Sequence, residues 1–594
     1  DRSLSGRLSL VARVDGPDGF AAAEASLASA VAALVDVNPR MEGYGATVTG
    51  FQDNLVGGAR SMIATAAAGV SLLLLIACVN LASLQVARAV TREHEMATRR
   101  ALGARRGQVI SQIFCENLLL SLLGGVLGVV LAAGLHRLLV QLAADLLPRA
   151  QDIRLDTPVL AFAFATSVAA GLLFGMLPVA FTFTRDLASA LRSAVGAERP
   201  GWTRLRSVFV VAQVALAVTL SVGAVLMARS LVALGDVDPG FDGDGVGIAR
   251  IYLDGAAYPS DAEKVLYFDQ LRERLLERPD IAAVGASSGL PMDPFTIDYD
   301  VPYALAGEDP QGDVHRQAFF RTVTAGYFEA MGIPLLRGRA IDAADRTDGE
   351  QVAVINATFA RRAWPDTDAV GQTFSFYGGS RTVRVVGVVG DVRFAGPKDG
   401  ERAEFFVPHS QVTYGAMTFA ARSATGDAEA AAIAVSRAAL EVDPSQPAHS
   451  FFPMASLQSQ AVASPRFLAL LLSAFAGVAL LLAAAGIFGA LAGWVADRRR
   501  EISLRVALGA GGGDILRLVF GRSALLSGVG LVLGLAVVKT GAGLLAPHLF
   551  GVEPQDALSL AAVAAVVVVV TLTASLLPAA RAARLQPTQV LRSD

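Results

Sequence analysis

The chain is poor in cysteine and in charge. Two Cys in 594 residues exclude a disulfide scaffold. Charged residues make up 17% of the total, against about 25% in an ordinary soluble protein. The net charge of −3 and the isoelectric point near 6.2 exclude a nucleic-acid binder. No phosphate loop is present: Gly509–Gly513 is glycine-rich but lacks the Lys-Ser/Thr that grips nucleotide phosphates. His94-Glu95 lacks the second His of a zinc-protease helix, and His315, His409 and His449 lack metal-ligand spacing. These three read as surface histidines. No basic segment followed by a short apolar stretch opens the chain at Asp1.

What is present is apolar sequence: 53% hydrophobic residues and a mean hydropathy of +0.50. A bilayer is crossed by roughly 20 predominantly apolar residues. Seven stretches qualify, at about Met62–Val86, Ile110–Leu135, Pro158–Phe183, Leu205–Met227, Phe467–Trp494, Ile515–Leu545 and Ala557–Ala580. Arginines such as Arg99, Arg105, Arg192, Arg204, Arg499 and Arg584 cluster after the first, third, fifth and seventh spans. Positively charged loops stay inside. Residues 235–466 therefore fall outside. That segment is soluble in character, with strand-like runs at Val246–Leu253 and Val383–Val389 and amphipathic helices at Asp261–Glu277 and Glu429–Glu441. Asn356-Ala357-Thr358 within it matches a glycosylation acceptor. Cys78 and Cys115 lie in or beside spans and read as packing residues. Asn80, Gln85 and Gln213, also in or at the ends of spans, read as interhelical hydrogen-bonding groups.

The chain repeats itself. Glu95-Met96-Ala97-Thr98-Arg99-Arg100-Ala101-Leu102-Gly103-Ala104 returns 406 residues later as Glu501-Ile502-Ser503-Leu504-Arg505-Val506-Ala507-Leu508-Gly509-Ala510. The same offset relates Gly124 to Gly530 and Gly128 to Gly534. Pro178 and Pro578, at the ends of the third and seventh spans, are each followed at the same distance by Leu-Arg. Leu8–Val14, a helix over about Phe20–Val35 and Val37-Asn38-Pro39 echo Met417–Arg422, a helix and Val442-Asp443-Pro444. The expected fold is a polytopic α-helical membrane protein with extracytoplasmic α/β domains. Its two parallel four-span repeats would give eight spans at full length, with the first repeat truncated here.

The E-[MI]-x-x-R-x-A-L-G-A segments resemble the FtsX/MacB-like permeases of ABC transporters, in particular the duplicated, acidobacterial-type orphan permeases. Tyr327-Phe328-Glu329-Ala330-Met331-Gly332-Ile333-Pro334, Ala360–Pro365 and Val385–Val392 of the outer segment are similar too. On this resemblance, residues 1–60 are the remnant of a first periplasmic domain and 61–200 a three-span unit. Residues 201–234 are the first span of the second repeat, 235–466 a periplasmic core domain and 467–594 a second three-span unit. The resemblance implies a permease subunit of the bacterial inner membrane that binds no cofactor itself. A separate ATPase subunit would bind ATP and move the periplasmic domain, for export or extracytoplasmic substrate handling. Its other partners would be membrane lipid and a periplasmic adaptor or substrate protein, with no nucleic acid.

The resemblance assigns ATPase-coupling helices at Glu95, Arg99, Leu102 and Gly103 and at Glu501, Arg505, Leu508 and Gly509. Taken alone, Glu95–Arg99 and Glu501–Arg505 are surface i,i+4 pairs worth about 0.3–0.5 kcal/mol. Gly103 and Gly509 stand where a helix must end in a residue of positive φ. In the first repeat Leu187 replaces Pro587, and Phe181 and Thr184 replace Arg581 and Arg584, so its ATPase contact is expected to be the weaker. Two other classes fit the same segments: a stand-alone membrane scaffold or sensor with an outer binding domain, and a secondary transporter. The chain shows no catalytic motif and is read as a non-enzyme, with ATPase activity expected in a partner subunit.

Overall fold

The computed structural model describes residues 13–14, 19–37, 48–101, 105–143, 155–176, 200–293, 296, 300–310, 316–394, 396, 398 and 400–584. The described chain divides into an outer unit, Leu234–Ala463, and a membrane unit, Arg13–Ala233 with Ser464–Asp594.

The membrane unit begins with α1 (Gly19–Val37), α2 (Phe51–Ala101), α3 (Arg106–Ala143), α4 (Thr157–Gly175) and α5 (Pro200–Gly235). Helix α1 covers the helical part of the expected strand–helix–strand; Leu8–Ala12 and Asn38-Pro39 lie outside the described residues. The long apolar runs leave the backbone no partner but itself in lipid, which makes them helices. Spans fall at Arg60–Val86, Ile110–Arg137, Thr157–Gly175 and Arg204–Gly235. The expected continuation of the third span to Phe183 lies outside the described residues.

The outer unit runs β1 (Val246–Tyr252), α6 (Asp261–Leu276), β2 (Ile281–Ser287), β3 (Asp300–Leu305), β4 (Gln317–Val323), α7 (Tyr327–Ala330), β5 (Leu335–Gly338) and β6 (Val352–Asn356). It continues with α8 (Ala357–Ala363), β7 (Thr373–Phe376), β8 (Arg381–Val389), β9 (Glu404–Pro408), β10 (Ala416–Ser423), α9 (Ala428–Val442), β11 (Ser450–Pro453) and α10 (Met454–Ala461). The runs read as strands and amphipathic helices in the sequence fall on β1, β8, α6 and α9. Ser260 and Glu263 close a reciprocal cap at the start of α6.

The sheet makes two lobes. In the first, strands run β11-β1-β10-β2, all antiparallel. Helices α6 and α9 bury Phe268, Leu271, Ala431 and Val435 against Ala249, Ile251 and Phe419. This is a split β-α-β arrangement. Residues between β2 and β10 form the second lobe, where β4, β3, β7, β8, β6 and β9 pair in turn and β9 pairs back to β4. Phe320, Phe359, Phe374, Phe376 and Phe405 fill its core. Among the described residues one residue pair, Ser287 with Val323, carries the ladder from β2 to β4.

Two corrections belong here. Asn356 is no glycosylation acceptor: it is 2% exposed, caps α8 by accepting from the Phe359 N–H, and donates to the Arg402 carbonyl. His409 is not a surface histidine but is 6% exposed.

The second half of the membrane unit comprises α11 (Ala463–Asp497), α12 (Arg499–Ala507), α13 (Gly512–Leu545) and α14 (Ala557–Ala583). Spans fall at Ala463–Asp497, Gly512–Gly543 and Ala557–Ala583, which makes seven among the described residues. Pro578 lies inside its span, as in the expected Ala557–Ala580, and α14 runs on to Ala583. Membrane helices tolerate proline because neighbouring groups satisfy the freed carbonyl. The polar residues read as interhelical do bridge helices. Asn80 of α2 donates to the Leu482 carbonyl of α11 at 3.1 Å, Gln213 of α5 donates to the same carbonyl, and Gln85 donates to Asn117 of α3 at 2.6 Å. Gly486 makes room for Gln213, whose Oε1 would lie 2.0 Å from any added Cβ.

The buried Arg321–Glu404 pair joins β4 to β9 at 2.7 Å, with side chains 1% and 5% exposed. The Arg321 guanidinium also stacks 3.4 Å from the Phe394 ring centroid. Removing one partner of a buried pair costs about 3–5 kcal/mol. Glu404→Leu is expected to lower the unfolding temperature of the outer unit by about 10 °C, followed by near-ultraviolet circular dichroism. The double change Arg321→Met/Glu404→Leu should recover much of that loss.

Candidate coupling helix and outer cleft

Helix α12 is set apart from α11 by a break at Arg498, in a run of three arginines. The Arg498 guanidinium lies 5.2 Å from the Trp494 ring centroid. Ile502 and Ser503 are buried, whereas Glu501 and Arg505 face outward and pair through a 2.6 Å hydrogen bond from Arg505 to Glu501. Arg498 stands 3.7 Å from the same carboxylate. Leu508, the last residue of the turn, is 87% exposed.

The helix ends in a Schellman turn. The Gly509 N–H donates to Val506 and the Ala510 N–H to Arg505, both at 3.0 Å. Gly509 has φ +100, a region that strains any residue with a Cβ. The Asp514 carboxylate then accepts from the Gly511 N–H at the start of α13. A hydrophobic knob, Leu508, is thus presented beside an Arg–Glu pair at a tightly fixed corner.

In the first half, Glu95 and Arg99 lie within α2, which continues unbroken to Ala101. Their side chains, and Leu102 and Gly103 altogether, lie outside the described residues. The two halves therefore differ at this point: the second carries a separate short helix where the first prolongs its span.

The outer unit holds a cleft of about 1120 Å³ that sequence reasoning missed. Asp269 and Arg272 of α6 line it, with Arg346, Arg381 and His409. His409 Nε2 lies 3.3 Å from Asp269 Oδ1. Burial works against ionised Asp269, but His409, Arg272 and Arg346 outweigh it and hold the carboxyl below its usual range. His449 packs edge-on against Tyr252, ring centroids 4.8 Å apart. His315 lies outside the described residues.

Asp345 sits on the rim. Burial would raise its pKa, but two 2.7 Å hydrogen bonds from Arg339 and one from the Asp342 N–H lower it. A carboxylate whose pKa is depressed on folding stabilises the fold above its unfolded value near 3.9. That stability disappears as pH falls through the folded value. Arg339 is half-exposed, so about 1–2 kcal/mol is at stake. Thermal melts should separate wild type from Asp345→Ala at pH 7 and draw them together as the pH falls below the unfolded value.

Among the described residues, seven helices long and apolar enough to cross a membrane, with a mixed-sheet outer unit between the fourth and fifth, define a multi-pass membrane protein with an extracytoplasmic domain. The FtsX-like permease C-terminal model matches twice, at residues 67–187 and 473–587. The MacB-like periplasmic core domain matches residues 211–439. The chain belongs to the FtsX/MacB-like permeases, the membrane components of ABC transporters.

Among similar proteins are two macrolide export ATP-binding/permease proteins MacB. That of Sodalis glossinidius is 34% identical over 105 residues, covering 18% of this chain and 16% of the relative. That of Paracoccus denitrificans is 27% identical over 276 residues, covering 45% of this chain and 40% of the relative. The chain thus spans less than half the length of either. The crystal structure of the periplasmic region of MacB from Actinobacillus actinomycetemcomitans is 16% identical, covers 36% of this chain and 89% of its own, and has a TM-score of 0.25.

Proposed function

We propose that this permease docks a separate ATPase subunit through α12 and its counterpart at residues 95–103, and converts ATP-driven closure of that subunit into movement of the outer unit. The protein would sit in the bacterial inner membrane, surrounded by lipid, as a duplicated permease in which one chain does the work of two. It would bind no cofactor itself, with ATP held by the partner. Movement outside the membrane suits export or handling of a substrate there, with an adaptor or substrate protein at the outer unit and no nucleic acid involved.

The observation that carries this reading is the corner at Leu508-Gly509. A lone surface ion pair is worth little. An almost fully exposed leucine beside that pair, on a helix held at both ends, is a feature a docking surface needs and a solvated loop does not. The Schellman turn fixes its angle to α13, so force on α12 passes into a span instead of being lost in a hinge.

The test is co-purification of the full-length protein with ATP-binding subunits of the same organism. Arg505→Glu and Leu508→Asp should each reduce recovery of the ATPase at least tenfold, and Gly509→Trp should abolish it, with the permease still inserted and folded. Survival of binding in all three would sink the coupling role. Absence of any ATPase with the unmutated protein would favour a stand-alone scaffold. Ion-gradient-driven uptake in vesicles without ATP would favour a secondary transporter.

A further inference from the structure

The cleft of the outer unit opens where its two lobes part. Along β1 and β10 alternate residues face opposite sides of the sheet. On one side Ile248 and Ala420 share a core with Tyr327 of α7 and with Val354 and Phe406 of the second lobe, which clamps the lobes together. On the other side Ala249 and Phe419 lie under α6. There the lobes diverge and leave about 1120 Å³ open. The shared core fixes the angle between the lobes, so the opening is preformed. Its volume stands at the upper end of the roughly 300–1,000 Å³ usual for small-molecule sites.

Both walls are rigid. The wall from the first lobe is α6. The wall from the second lobe is the loop between β5 and β6, which is fastened from behind. Gln411, 5% exposed, donates to the Glu350 carbonyl at 2.9 Å and accepts from the Val352 N–H at 3.1 Å. Ser410 donates to the Asp345 carbonyl at 2.6 Å. Side chains carried on walls held in this way keep a fixed geometry, as a binding site requires.

The charges in the cleft do not cancel. Five Asp and three Arg of the described residues line it. Four of the carboxylates are already answered: Asp261 by Lys264 at 3.1 Å, Asp269 by His409 at 3.3 Å, and Asp342 and Asp345 by Arg339 at 3.7 and 2.7 Å. Asp348 is left. Among the described residues Arg272 and Arg346 hold no such ion pair, and Arg381 donates to the Gln411 carbonyl at 2.9 Å. The surplus inside the cleft is therefore positive. Arg272 and Arg346 come from opposite lobes. Burial opposes ionisation of Asp269, yet both guanidinium groups act with His409 to hold its carboxyl down. They thus converge on one end of the cleft, beside a carboxylate that His409 already engages. Val265 and Leu266 of α6 add an apolar stretch to the same wall, and Leu266 is 57% exposed.

We propose that this cleft binds an amphipathic organic anion, with its carboxylate or phosphate between Arg272 and Arg346 and its apolar body along Val265 and Leu266. Guanidinium groups suit such oxyanions because their planar forks match them with paired hydrogen bonds. The site lies wholly within the outer unit, so it does not depend on ATPase docking at α12.

Equilibrium dialysis of naphthoate and of naphthyl phosphate against the full-length permease in lipid nanodiscs tests this, with empty nanodiscs subtracted for partition into lipid. Saturable binding of one anion per chain is expected. The double change Arg272→Gln/Arg346→Gln should raise Kd at least tenfold, and Leu266→Asp at least fivefold. Arg274→Gln, at an exposed residue of α6 paired with Glu277, should leave Kd unchanged. Near-ultraviolet circular dichroism shows that each variant keeps the native outer unit. The tighter of the two probes identifies the headgroup as carboxylate or phosphate. Equal binding of the cation naphthylmethylamine would mean that the cleft reads apolar surface alone, and would overturn the proposal. Anion binding that survives the double arginine change would overturn it, as would the lack of saturable binding by either anion.

Discussion

Apolar side chains gain little from one another inside a bilayer, because lipid tails are as apolar as leucine. The membrane unit is instead fixed where polar groups and backbones meet. The Leu482 carbonyl takes donors from Asn80 and Gln213, which brings α2 and α5 onto one turn of α11. Gly486 keeps that turn open. The contact joins helices from both repeats and includes α5, the most enclosed of the seven spans among the described residues. Arg206–Asp497 at 3.4 Å and Arg229–Asp556 tie other parts of α5 to the second half. The surrounding leucines and valines add packing, but they would pack almost as well against lipid.

The outer unit obeys different chemistry. There burial drives folding, and several polar groups taken inside are paired: Arg321 to Glu404, Arg250 to Asp293, and Asn356 to the Phe359 N–H and the Arg402 carbonyl. One chain thus uses two solvents, with opposite rules for what holds it together. The sequence shows the change in its composition near residues 235 and 466.

Much of this was legible in advance, for physical reasons. Spans announce themselves by length and freedom from charge, and α6, α9, β1 and β8 by period. The left-handed turn at Gly509 followed from a repeated Leu-Gly-Ala at a helix end. The return of β9 to β4, the burial of His409 and the hydrogen bond of Asn356 to the Arg402 carbonyl depend on residues far apart in the chain. Periodicity reports which face of an element is buried, not what it is buried against.

The first lobe of the outer unit has a further consequence. Its central pairing sets Ile248 of β1 against Ala420 of β10, and the whole second lobe is threaded between them. Closing so long a loop before other contacts form is entropically costly. The second lobe, whose strands are all contained within residues 300–408, is the natural first product as the polypeptide emerges. The first lobe closes only after its last strands have been delivered to the same compartment. Until then β1 and β2 wait without β10 between them, so biogenesis of this protein is most vulnerable to aggregation and proteolysis in that interval.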